Sequence, residues 1–445
     1  MQNFLDKLMQ AAKASGIEAA EAYIAKQDSF SARSNKGEIT EYKSNTKHGL
    51  GFRGLKNGRM GYASTEAFDD EAIDQLVKGV LESAELCEDT DTEFLYDGKD
   101  EVPTLDLYNA RLDDVTATEK LELLLNTEKI ASEYDEKIDN VGYNMMTTGK
   151  HTLRIVNTYG MDRSFTESLC MLLTGPIAKD GDSVSVGYYG KLSRDFDQLN
   201  AQAVASEAAQ RAIDGLHAKS LPSGKYRVIM HHETMASLLE VFAKIFSAET
   251  AQKGLSLLKG KLGECIAAPC VTLVDDPLLV TALEARPFDA EGVPSKAHTV
   301  IENGVFKTFL HNLKTAYKDG VETTGNAAKA GYASSVYVSP SNFYFKAGTK
   351  SFNALLKDVS DGVVITEVSG LHAGANAVSG DFSLLSKGYT IKDGVRDQAV
   401  EQITVAGNYY ELLSSIREFA DDLTFPDGGI GCPSADVGEL SISGS

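Results

Sequence analysis

Apolar positions recur at helical spacing over residues 2–15, where Phe4, Leu5, Leu8, Met9 and Ala12 share one face and Gly16 ends the run. The next segment, EAYIAKQDSFSARSNKGEITEYKSNTKHGLGFRGLKNGRMGYAST, reads as strands broken at Asn35-Lys36-Gly37 and Asn57-Gly58. Two-residue hairpin turns need positive φ at both central positions, which Asn and Gly accept, so an antiparallel meander is predicted. Helical periodicity returns over 66–87 and 116–134, on either side of an acidic, Asp/Thr-rich stretch (88–115) expected to be an exposed connection. Strands joined by Gly and Asp turns follow over 139–195, then an Ala-rich helix over 197–217.

Leu221-Pro222-Ser223-Gly224-Lys225 lies between that helix and a new strand at 226–230, and it marks a predicted domain break. The chain then reads as an α+β domain over 1–220 and a strand-rich domain over 221–445. Beyond a helix at 232–246, short strands are predicted at 271–280, 296–311 around Asn303-Gly304, 335–347, 362–369, 381–391 ahead of Asp393-Gly394, and 397–405. Only 351–358 and 407–421 look helical there. Helices and antiparallel strands without regular βαβ alternation give an α+β fold class, and many short strands with close turns predict a barrel-like or strongly curved second sheet.

Composition narrows the functional classes. A chain of 445 residues exceeds one typical core and suits two self-sufficient domains. The formal charge of −21 repels phosphate backbones, so direct nucleic-acid binding is not expected. The opening MQNFLDKLMQAAKASG is not a charged-then-apolar signal, and no run approaches the roughly 20 apolar residues of a membrane span. A cytosolic location without membrane contact is the expectation. Cys87, Cys170, Cys265, Cys270 and Cys432 are odd in number and scattered, which fits free thiols in a reducing compartment.

The chemistry of the chain centres on VIMHHETMASLLEVF, residues 228–242. In a zinc helix of the H-E-x-x-H type, two histidines one turn apart ligate the metal and the glutamate acts on a water. Here His231, His232 and Glu233 open such a motif, but Ala236 and Ser237 stand where a second histidine would fall. Met235, Leu238, Leu239, Phe242, Ile245 and Phe246 form an apolar face beside them. The plain reading is a polar helix start without a metal. His372 lies in GLHAGANAVSGDFSL, a turn-rich loop that also offers Asn376 and Asp381 as groove-lining groups. No G-x-S-x-G elbow, P-loop or G-x-G-x-x-G after a strand is present.

Six segments together resemble one family: HGLGFRGLKNGRMGYAST (48–65), RPFDAEGVPSKAHTVIENGVFKTFLHN (286–312), TTGNA (323–327), GLHAGANAVSGDFSLLSKGYTI (370–391), ITVAGNYYELLSSI (403–416) and GCPSADVGELSISG (431–444). The chain resembles the TldD/PmbA proteins, a metallopeptidase family named for peptide maturation and modulation of DNA gyrase. The resemblance implies that TldD-type members carry H-E-x-x-x-H and a C-terminal cysteine as zinc ligands, whereas PmbA-type (TldE-type) members lack that set and pair with a TldD-type subunit. Ser237 in place of the second histidine, and a Cys432 that lies after the ligand loop, make this chain similar to the PmbA branch. The expected activity is then proteolysis of unstructured peptides by a cytosolic dimer whose zinc resides in the TldD-type partner. No cofactor and no catalytic or metal residue is expected in this chain, and His231, His232, Glu233, His372, Asn376 and Asp381 are its peptide-binding candidates. Two alternatives stand beside this: a self-sufficient zinc protease using His231 or His232, Glu233 and a distant His372 or Cys432, and a homodimer that holds peptides without cleaving them.

Overall fold

The computed structural model describes residues 1–445 apart from Asp89, Thr90 and Asp427. The meander forms at Ala19–Asn35, Glu38–Lys56 and Arg59–Thr65, and its turns have positive φ at Lys36, Gly37, Asn57 and Gly58, as the turn chemistry requires. The first strand pairs on its other side with Ile138–Asn157, which pairs with Asp162–Asp180, giving an open seven-stranded sheet. Helices Gln2–Ala14 and Asp70–Leu86 cover one part of it through Leu5, Leu8, Leu76 and Val80, packed on Leu50 and Phe52. Helices Ala117–Ser132 and Ala201–Asp214 cover the other, with Leu124 and Val204 against Met146 and Leu172. The stretch 88–115 is not simply an exposed connection: Leu95, Leu107 and Leu112 are buried, and Arg111–Asp114 forms a helical turn.

In the C-terminal half, Gly224–Met230, Gly362–Ser369, Asp381–Lys392, Val395–Asn408 and Ala435–Ser443 pair in a ring, and the pairing of the last two closes a five-stranded barrel. Closure removes the open edges that such short strands would otherwise expose. Along Asp381–Lys392, Phe382 and Leu384 join the barrel core, and beyond a register shift Tyr389 and Ile391 are buried in a separate cluster with Leu355, Leu356 and Val359. Gly388 sits at a register shift of that strand, and a Cβ there would meet the Val364 carbonyl oxygen at 1.8 Å. The helix His232–Phe242 packs Leu238, Leu239 and Phe242 into the barrel core, with the Phe242 ring stacked on Tyr409 at 4.3 Å. Fully burying one such side chain contributes about 1.5–3 kcal/mol.

Two short helices escaped the sequence reading, Ala248–Gln252 and Leu313–Asp319, and the helix read at 407–421 spans only Tyr409–Ser415. The strand read at 271–280 is the three-residue Leu273–Asp275. The two halves meet across an apolar layer in which Tyr23, Ile155 and Met161 pack on Phe288, Ala290 and Ala327. Beside it, buried Arg53 donates to Glu21 at 2.7 Å and to Glu291 of the C-terminal half at 3.4 Å. No described helix is long and apolar enough to cross a membrane.

Candidate functional site

The sequence places His231, His232 and Glu233 at the start of a helix, where the first backbone N–H groups lack intrahelical partners. Neighbouring elements fill them. The His231 N–H donates to the Ile365 carbonyl at 3.0 Å, and the Thr234 hydroxyl donates to the same oxygen at 3.0 Å, so the helix start is pinned to a barrel strand. The His232 N–H donates to Ser434 Oγ at 3.0 Å, and Ser434 in turn donates its N–H and hydroxyl to Asp422 at 2.8 and 2.7 Å. The His232 ring meets Thr424 Oγ1 through Nδ1 at 2.7 Å.

Glu233 is held from the other half of the molecule. Arg211, near the end of helix Ala201–Asp214, donates from Nη1 at 2.9 Å and from Nη2 at 2.7 Å, one hydrogen bond to each carboxylate oxygen. Its Nε donates to Glu207 at 2.8 Å, and its guanidinium lies over the Tyr189 ring at 4.8 Å. Burial pushes the Glu233 carboxyl up, but the Arg211 hydrogen bonds and charge outweigh it and leave the group below the ordinary carboxylate range. Burial, and then the charge of His232, pull the His231 imidazole down to about 4. Burial lowers His232 as well, against the opposing pull of Glu233. At neutral pH the site therefore holds two uncharged imidazoles, with ring centroids 3.9 Å apart, and a salt-bridged carboxylate.

His232 and Glu233, but not His231, open onto a cleft of about 860 Å³ between the two halves, lined among others by Tyr189, Arg211, Glu367 and Phe425. One wall is the strand Tyr189–Ser193, which pairs with Asp162–Asp180 and, among the described residues, with no other strand.

His372, Asn376 and Asp381 are not on this cleft. Leu371–Gly374 is a single helical turn, and the Asn376 side chain accepts from Val378 N at 2.9 Å to hold its own loop. Asp381 accepts from Asn408 Nδ2 at 2.8 Å, and His372 is exposed. The loop's polar groups thus mostly serve its own turn, while the histidines and Glu233 are brought together with partners the sequence reading did not single out: Arg211, Thr424, Ser434 and Asp422. No local motif links Arg211 to Glu233, since the contact spans a domain boundary.

Ligand atoms of His231, His232 and Glu233 lie within 4.8 Å of one another, the one group among the described residues close enough to suggest a metal. The donor set does not fit zinc. Both Glu233 oxygens are engaged by a guanidinium, which would place a positive charge beside a second cation. Ser237 turns its hydroxyl back to the Glu233 carbonyl at 2.9 Å. Cys432 is fully buried with its thiol pushed far up by burial, and neither it nor His372 joins the group.

Comparison with known proteins agrees with this architecture. Residues 20–84, 110–216 and 223–444 match, in order, the PmbA/TldA metallopeptidase domain 1, central domain and C-terminal domain. A Thermotoga maritima protein described as a candidate modulator of a DNA gyrase is 34% identical, with TM-score 0.92 over 99% of this chain and 100% of its own. The chain belongs to the PmbA/TldD family. Another relative, the metalloprotease PmbA homolog of Haemophilus influenzae, is 28% identical over 91% of this chain and 88% of its own length. TldE from Thermococcus kodakarensis shares the fold, with TM-score 0.91 at 21% identity, covering 99% of this chain and 100% of its own.

Proposed function

We propose that this PmbA/TldD-family chain is the subunit without a metal centre in a two-component metallopeptidase, and that it binds unstructured peptide in the cleft while a TldD-type subunit supplies zinc and the general base. The observation that carries this reading is the Arg211 fork on Glu233. A glutamate that must take a proton from a metal-bound water needs basicity, and the guanidinium on both oxygens of this one lowers it. The peptide half of the reading draws on the strand Tyr189–Ser193, whose second edge pairs with no described strand and whose residues line the cleft. An extended peptide adding there gains main-chain hydrogen bonds, which give affinity with little sequence preference.

The test is elemental zinc analysis of the purified chain and of a His231→Ala/His232→Ala variant, followed by a peptide-cleavage assay with and without a TldD-type subunit. The expected result is no stoichiometric zinc in either protein and hydrolysis only in the mixture. Stoichiometric zinc in the wild type, lost in the variant, would overturn the proposal and favour a self-sufficient zinc protease.

A further inference from the structure

A second cavity, of about 600 Å³, lies between the same two halves. Tyr23 and Phe165 of the N-terminal sheet face Arg286, Phe288 and Lys329 of the C-terminal half across it. It adjoins the cleft: Leu283 and Gly428 line the cleft, while their chain neighbours Glu284 and Gly429 line this cavity.

Arg286 is unusual among the lining groups. Its Nε and Nη2 are buried without any hydrogen-bond partner, and the guanidinium forms no ion pair with a described residue. Two carboxylates act on it through space, Asp275 and Asp289, but each is already filled. Asp275 accepts from Asn326 Nδ2 at 2.7 Å and from Ser341 N and Oγ at 2.6 and 2.9 Å. Asp289 accepts from the backbone of Glu291, Val293 and Ala327 at 2.9, 2.9 and 3.0 Å. Of the two lining lysines, Lys244 is exposed, whereas Lys329 has its Nζ 4.7 Å from the Tyr23 ring centroid and no hydrogen bond or ion pair to a described residue. Both cations bear on the same Tyr23, whose hydroxyl feels the Arg286 charge. Burial, and then the charge of Arg53, pull the Lys329 amine down to about 8, so it keeps most of its charge at neutral pH. Of the acidic lining groups, Glu167 is engaged by His151 Nδ1 at 3.3 Å, and Glu240 and Glu284 are exposed.

A guanidinium and an ammonium that share a cavity wall without an ion pair to a described residue attract an anion, and a carboxylate is the anion a peptide carries. We propose that this cavity anchors a carboxylate of the bound peptide between the Arg286 guanidinium and the Lys329 ammonium. The proposal rests on the peptide-binding reading of the adjoining cleft. It adds that binding has a polarity, set by where the acid group lands.

Fluorescence anisotropy of the full chain tests it with one N-terminally labelled, unstructured peptide in three forms: free acid, C-terminal amide, and amide with an internal glutamate. A carboxylate-bearing form is expected to bind about tenfold tighter than the plain amide, as loss of a charge-assisted pair implies. Gain by the free acid alone identifies the chain terminus, and equal gain by the glutamate amide identifies any carboxylate, side chain included. Arg286→Gln should abolish the gap and Lys329→Met should narrow it, with binding of the plain amide unchanged in both. Equal binding of all three forms to the wild type, a comparison that needs no variant to fold, overturns the anchor and leaves the cleft reading standing. Failure of all three to bind overturns both.

Discussion

The Arg211–Glu233 contact can be weighed by a double-mutant cycle of Arg211→Met, Glu233→Gln and their combination. The two hydrogen bonds are 2.9 and 2.7 Å long, and the side chains are 29% and 27% exposed. That places the pair between a surface ion pair, about 0.2–1 kcal/mol, and a buried one, where removing one partner costs about 3–5 kcal/mol. Discounted for partial solvent screening, the coupling energy should be about 2 kcal/mol.

A single substitution would mislead, because Arg211→Met also removes the Glu207 contact and the Tyr189 ring contact. Together these add about 1 kcal/mol to that variant alone, and the cycle subtracts them. The chain has no tryptophan and 18 tyrosines, so urea unfolding is best followed by far-ultraviolet circular dichroism, with tyrosine emission as a second probe. In Arg211→Met the burial of Glu233 persists without its counter-charge, and the carboxyl pKa should move upward. A coupling energy below about 0.5 kcal/mol would refute the reasoning, since exposed pairs already reach that value.

Two further predictions concern stability. The His231 pKa is depressed in the fold, so the unfolded chain takes up the proton first: stability is complete above about 6.5, falls as pH drops toward about 4, and is lower by about 2 kcal/mol at pH 5. The gap between urea midpoints at pH 7 and pH 5 should narrow in His231→Gln, the buried His232 keeping part of it, and equal pH slopes in the variant and the wild type would contradict the assignment. Arg53→Met strands two carboxylates, Glu21 and Glu291, that are 1% and 4% exposed, and should cost about 3–5 kcal/mol in the same measurement. Adding Glu21→Gln and Glu291→Gln should recover part of that loss.

What could be read in the sequence was whatever local chemistry decides. The turns at Asn57-Gly58, Asn303-Gly304 and Asp393-Gly394 have positive φ at both residues, because Asn, Asp and Gly accept that conformation more readily than other types; at Lys36-Gly37 a lysine adopts it and Asn35 stays in the strand. Barrel closure was legible only as a tendency, since it depends on Val395–Asn408 finding Ala435–Ser443, a pairing no local pattern encodes. The helix Leu313–Asp319 carried its signals, an Asn312–Thr315 capping box and Gly320 at positive φ, but it is too short for periodicity to register. Leu95 and Leu107 were hidden for the opposite reason: single leucines in an acidic stretch look solvated until another element covers them. The site divided in the same way. His231, His232 and Glu233 are contiguous and could be found, whereas Arg211 reaches them only through the packing of the central helix against the C-terminal domain.

That packing gives the opening of the zinc motif a second physical meaning. A helix start presents unpaired N–H groups, and a chain that folds around one must fill them from other elements. Here the His231 N–H and the Thr234 hydroxyl take the barrel strand, the His232 N–H takes Ser434, the His232 ring takes Thr424, and the Glu233 carboxylate takes the central helix. Consecutive residues thus tie three separate parts of the molecule to one point at the wall of the cleft. A metal at this point would have to displace the Arg211 fork, and doing so would loosen the central helix from the C-terminal domain. Holding the cleft's shape and binding a cation therefore compete for the same carboxylate, whose two oxygens here accept from Arg211.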